Sequence, residues 1–115
     1  MSKPIIAVFT PEARAFLNAL EKETRQEFGA SVRKLQNGEA VKNFKKLVTT
    51  DGIYEFSVIA PNHTYRLFAF WDTRGAVETL IVCTRGLDKK TQKTPPQEIK
   101  KAEQLKKRHF ANYPL

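Results

Sequence analysis

The sequence predicts an α+β domain: a small, mostly antiparallel sheet that takes in an N-terminal strand, with a helical hairpin before it and one helix after it. Three observations carry this. Helical apolar spacing is collected ahead of residue 39, three β-prone runs bounded by turn-forming residues follow, and a last apolar stripe opens behind Thr94-Pro95. With 115 residues and no linker, internal repeat or low-complexity tract, residues 1–115 are expected to form a single domain. A chain of that size buries about two thirds of its unfolded surface.

Residues 5–9, Ile-Ile-Ala-Val-Phe, read as a short strand that stops at Thr10-Pro11. Thr10 is placed to cap a helix with Pro11 at its first position, where a missing N–H costs nothing. Ala13, Phe16, Leu17 and Leu20 then fall at helical spacing. A Thr-x-x-Glu capping box at 24–27 marks a second start, with Phe28, Val32 and Leu35 on one stripe and Asn37-Gly38 as the stop. Two short helices in a hairpin, or one helix bent near Glu23, both fit.

Residues 39–51 form a basic connector. The runs 53–59, 65–71 and 77–84 read as strands, separated by Pro61-Asn62-His63 and by Asp72-Thr73-Arg74-Gly75, so an antiparallel meander is the economical arrangement. Thr94-Pro95 starts the final helix, whose apolar stripe of Ile99, Ala102, Leu105 and Phe110 is thin and whose remaining surface is mostly lysine. Helices backing one face of this sheet would leave the other face for another use.

Lys and Arg total 20 against 12 acids, for a net charge of +8 and a pI near 9.8. Nine of those cations and only three acids lie in residues 85–108. A balance of this kind favours polyphosphates, acidic proteins or anionic surfaces as partners. No secretory leader and no apolar run near the ~20 residues of a membrane span is visible, which predicts a cytoplasmic protein that does not enter a membrane. The lone Cys83 excludes an intrachain disulfide and reads as a small buried hydrophobe. There is no Gly-rich phosphate loop, nucleophile elbow or paired metal-ligand spacing, and His63 and His109 stand apart from other soft ligands, so neither a metal nor a cofactor is expected.

What remains is a set of strand cations. Period-two alternation puts Glu55 and Ser57 on one face of their strand, opposite Tyr54, Phe56 and Val58. Arg66 lies within the most apolar run, Tyr65-Arg66-Leu67-Phe68-Ala69-Phe70-Trp71, where a charge is costly unless paired or solvated. Two accounts stand open: an ion pair with Glu55 across the sheet, or an open face shared with Arg85, Lys89 and Lys90 that clamps a phosphodiester. Metal-free RNA cleavage suits the second, because attack by a 2′-hydroxyl on its own neighbouring phosphorus needs orientation, proton transfer and charge neutralisation. Lys89, Lys90 or Glu55 would move the proton. For Lys89, Lys90 and Lys93 a solvated loop is the plain alternative.

Gly52-Ile53-Tyr54-Glu55-Phe56, Tyr65-Arg66-Leu67-Phe68, and the run from Thr84-Arg85-Gly86-Leu87-Asp88-Lys89-Lys90 through Thr91-Gln92-Lys93-Thr94-Pro95, with Glu98-Ile99 and Ala102, resemble the successive motifs of the RelE/ParE superfamily. The HigB-like, phage-derived branch is the nearest in pattern. The resemblance implies a RelE-like fold and the toxin of a type II toxin–antitoxin system, a metal-free endoribonuclease that cuts messenger RNA on the ribosome and inhibits translation. It also implies a cognate antitoxin, of the helix-turn-helix, HigA-like kind. By similarity Arg66 matches the arginine of the Tyr-Arg motif, and Lys89 and Lys90 match its Lys-Lys pair. Arg85 stands where the branch has histidine, which keeps the charge and removes proton transfer. Leu87 replaces a phenylalanine and Ser57 an arginine. Lys42, Lys45, Lys46, Lys93, Lys100 and Lys101 are the expected RNA-docking surface. The alternatives are a ParE-like inhibitor of DNA gyrase without catalysis and a phage-derived interaction module whose nuclease has decayed.

Overall fold

The computed structural model describes residues 3–83, 87–89 and 96–113. The chain runs β1 (Ile5–Phe9), α1 (Pro11–Ala19), α2 (Lys22–Gln36), β2 (Phe44–Lys46), β3 (Tyr54–Ala60), β4 (His63–Asp72), β5 (Glu78–Val82), β6 (Leu87–Lys89) and α3 (Pro96–Asn112). The sheet order is β1-β5-β4-β3-β2, with β1 parallel to β5 and the other pairs antiparallel. β6 pairs with β4 antiparallel, beyond the stretch of β4 that β5 occupies. This is the mixed α+β architecture expected from the sequence.

Local chemistry sets most boundaries. Thr10 caps α1 by accepting a hydrogen bond from the Ala13 amide (3.2 Å), and its hydroxyl donates to the Cys83 carbonyl (2.9 Å), tying the helix start to the end of β5. The hairpin has two separate helices, and α2 starts earlier than the capping box at Thr24 predicts. Its N-cap is Glu21, and Thr24 is a buried first-turn residue rather than a cap. The turn falls there because Leu20 leaves the helical conformation (ψ 157°) and packs against the core, while the Arg25 guanidinium donates to its carbonyl at 3.1 Å. At the far end, Gly38 adopts φ 78°, its amide bonds Leu35 O and the Glu39 amide bonds Lys34 O, the paired pattern that closes a helix through a left-handed residue. Pro61 followed by Asn62 at φ 66° makes the tight β3–β4 turn, which leaves His63 as the first residue of β4 rather than part of the turn.

Alternation along the strands divides the sheet into two faces. Phe56, Val58, Leu67, Ala69, Leu80 and Val82 pack with Ala13, Phe28 and Val32 of the helical hairpin. The other face is not left bare: Ile53, Phe68, Phe70, Ile81 and Cys83 bury Ala102 of α3, with Leu105 and Phe110 packed alongside. The expectation of helices on one face is thereby corrected. α3's thin apolar stripe suffices because it covers only half of that face. Cys83 is buried as expected, and burial pushes its thiol pKa up to about 12.

Polar clamps hold α3 at two places. Glu103 accepts from the Asp51 amide (2.8 Å) and Lys106 Nζ donates to the Asp51 carbonyl (2.8 Å). Gly52 beside them adopts φ 69°, the left-handed backbone that favours glycine, and a Cβ there would also displace the Lys106 ammonium 2.8 Å away. Further along, Asp72 at the end of β4 meets His109 Nε2 at 2.9 Å and takes a two-pronged contact from Arg74, whose guanidinium also stacks over Phe110 at 4.5 Å. Among the described residues no helix is long and apolar enough to cross a membrane.

The Arg74 guanidinium holds the Asp72 carboxyl well below the usual carboxylate range; burial opposes the shift and the His109 contact adds to it. A depressed folded-state pKa stabilises the fold above the ordinary carboxylate pKa of about 4 and is lost as pH falls below it. Urea titrations from pH 6 down to pH 2 should therefore show an acid-side loss of stability in the parent chain that is shallower in Asp72→Asn, which is itself less stable at pH 6.

Candidate functional site

On the face that α3 partly covers lie Ile53, just ahead of β3, Glu55 and Ser57 of β3, and Thr64, Arg66, Phe68 and Phe70 of β4. The register sets Glu55 opposite Phe68 and Ser57 opposite Arg66. The face thus has an apolar half under α3 and a polar half formed by Glu55, Ser57, Thr64 and Arg66. Of the two accounts left open for Arg66, the structure takes the ion pair: Nη1 donates to Glu55 Oε1, diagonally across the β3–β4 ladder. Both partners are buried, Glu55 to 1% and Arg66 to 4% exposure. Mutual attraction offsets the cost of taking both charges out of water only while the hydrogen-bonded geometry holds.

β6 approaches this half along β4, with Leu87 in register with Arg66 and Lys89 with Thr64. The basic segment of the sequence is therefore joined to the sheet beside the ion pair, with the Lys89 backbone two positions along the ladder from the Arg66 register. Arg85, Lys90 and Lys93 lie outside the described residues. Of the five residues singled out for catalysis, Glu55 and Arg66 are in contact and Lys89 lies on the neighbouring strand.

The RNA-docking candidates fall on two separate surfaces. Lys42, Lys45 and Lys46 are exposed on and just before the edge strand β2. Phe44 anchors that strand, its ring 4.4 Å from Phe56 and 5.2 Å from Tyr54. Lys45 stands opposite Glu55 in the ladder, so it flanks the polar half. Asn43 stitches the edge together: its side chain accepts from Ser31 Oγ of α2 (2.9 Å) and donates to Ser57 O (2.8 Å). Lys100 and Lys101 are exposed on α3. Sequence reasoning missed Thr64, which is 9% exposed and shares the face of Arg66; its place in the alternation of β4 was the available signal.

The family model of the phage-derived Gp49-like proteins (DUF891) matches residues 15–107, from within α1 to the later part of α3. The chain belongs to this family. It is a family of RelE-like toxins, in keeping with the fold and with the motifs on β3 and β4, and membership implies an antitoxin partner. Searches of curated proteins and of solved structures return no match.

The buried pair makes a stability prediction. Arg66→Met alone leaves a buried carboxylate without its cation and should cost roughly 3–5 kcal/mol in denaturant unfolding, whereas Glu55→Gln/Arg66→Met together should recover most of that loss.

Proposed function

We propose that this Gp49-like chain is a HigB-like toxin of a type II toxin–antitoxin pair, a cytoplasmic, metal-free endoribonuclease that cuts messenger RNA on the translating ribosome. The observation that carries the reading is the pairing of β6 with β4, which sets Lys89 in register with Thr64 beside the polar half of the sheet. Family membership and the +8 charge support it further.

In this reaction the 2′-oxygen bonds to the adjacent phosphorus as the P–O5′ bond breaks, leaving a 2′,3′-cyclic phosphate and a free 5′-hydroxyl. The protein has to take a proton from the 2′-hydroxyl, return one to the 5′-oxygen and neutralise the non-bridging oxygens. Lys89 and Lys90 are assigned the proton transfers, since crowded ammonium groups give up protons more readily than isolated ones. Arg85 stays protonated throughout and supplies charge only. The Glu55–Arg66 pair is assigned a positioning role, as a fixed base beside which β6 and Lys89 are seated. Lys42, Lys45 and Lys46 on one side and Lys100 and Lys101 on the other, together with Lys93 of the basic segment, are assigned the docking of ribosomal and messenger RNA, with an affinity that falls steeply with salt.

One observation favours a second reading. Arg66 is buried and engaged by Glu55 rather than turned to solvent, which suits a toxin that inhibits DNA gyrase by binding alone. Mapping messenger RNA 5′ ends in translating cells separates the two. Codon-phased cuts that fall by about 10²-fold or more in Lys89→Ala/Lys90→Ala are expected for the nuclease. Growth arrest with intact transcripts and loss of supercoiling would establish the binding-only toxin instead.

A further inference from the structure

β1 closes one end of the sheet, and its second edge is unpaired among the described residues. The amides of Glu78 and Thr10 bond Pro4 O (2.8 Å) and Val82 O (3.0 Å), so the even-numbered residues of this segment face β5. By period two, the N–H and C=O groups of Ile5, Ala7 and Phe9 point to the open edge. The strand, Ile-Ile-Ala-Val-Phe, carries none of the usual protections of an edge: no charge, no proline and no bulge. Ile6 and Val8, 41% and 47% exposed, present apolar side chains beside it.

At the Phe9 end the edge opens onto a groove of about 200 Å³ between α1 and α2, whose apolar floor includes Phe9, Leu17 and Phe28. Arg14 and Arg25 line the same groove, and among the described residues no carboxylate does. The Arg14 guanidinium sits over the Phe9 ring at 5.7 Å, and Arg25 spends one nitrogen on Leu20 O.

From this arrangement we infer that β1 is the docking edge for an extended, acidic segment of the antitoxin. The segment adds a strand along Ile5, Ala7 and Phe9, drops an apolar side chain into the groove and sets a carboxylate against Arg14 and Arg25. Main-chain pairing supplies affinity, and the groove with its two cations supplies specificity. A second copy of this chain is the poorer occupant, because it would bring like-charged molecules of +8 together with nothing acidic in the groove to meet the arginines. Nucleic acid is poorer still, given the apolar strand and floor. The inference rests on the toxin–antitoxin reading.

The test uses the full chain with the polypeptide encoded in the adjacent reading frame, measured by calorimetry and by amide hydrogen exchange. In the complex, the Ala7 and Phe9 amides should gain at least tenfold protection, and Arg14→Glu should weaken binding at least tenfold with an unchanged melting temperature. A complex with the parent chain in which those amides stay unprotected and Arg14→Glu binds within twofold overturns the docking edge and leaves the toxin reading standing. Absence of any complex overturns both. Concentration-dependent protection of the same amides in this chain alone would give the edge to a second copy and likewise overturn the proposal.

Discussion

The ion pair between Glu55 and Arg66 is the constraint around which this sheet is organised. Two opposite charges buried on adjacent strands are costly unless they meet, and they meet only if Glu55 and Arg66 share one face of the β3–β4 ladder. A one-residue slip would turn one partner into the hydrophobic face packed on the helical hairpin. The pair therefore fixes the register that also sets Phe56 and Val58 toward α2. It fixes where β6 can run as well, because β6 shares β4 with β3 on its opposite side.

The same pair explains why α3 covers half of its face and no more. Beneath the helix the sheet offers Phe68, Phe70 and Ile81, and the packing is apolar. Beyond that patch the sheet is polar, and a Lys-rich helix would have to bury its own charges to extend across it. α3 is instead held by polar contacts at the 51–52 turn and at Asp72. Those contacts use Lys106 and His109 and leave Lys100, Lys101 and Lys107 exposed.

The parts of the fold that could be read from sequence are those set by short-range chemistry. Thr10-Pro11, Asn37-Gly38 and Pro61-Asn62 each specify a backbone conformation within a few residues, and each sits where it was expected. The start of α2 differs from the capping box because Thr24 is buried within the first turn and Leu20 breaks the helix ahead of it, a tertiary effect that local pattern does not carry. β6 was not anticipated as a strand, since Leu87-Asp88-Lys89 has no strand signature and pairs only because β4 extends past β5. For the candidate site, alternation placed Glu55 and Ser57 on one face and named both fates of Arg66. The choice between those fates depended on the cross-strand register, which no single strand encodes. Lysine content alone also did not separate Lys106, committed to Asp51, from its exposed neighbours.

The account stands on the polar half of this sheet face being where RNA is held. The direct measurement is an NMR titration of amide shifts with a 2′-O-methylated oligoribonucleotide, which binds but lacks the attacking hydroxyl. The account predicts the largest changes at residues 55–57, 64–66 and 87–89, diminishing as salt is raised. Changes confined to the outer surface of α3, with those three segments silent at saturation, would contradict it.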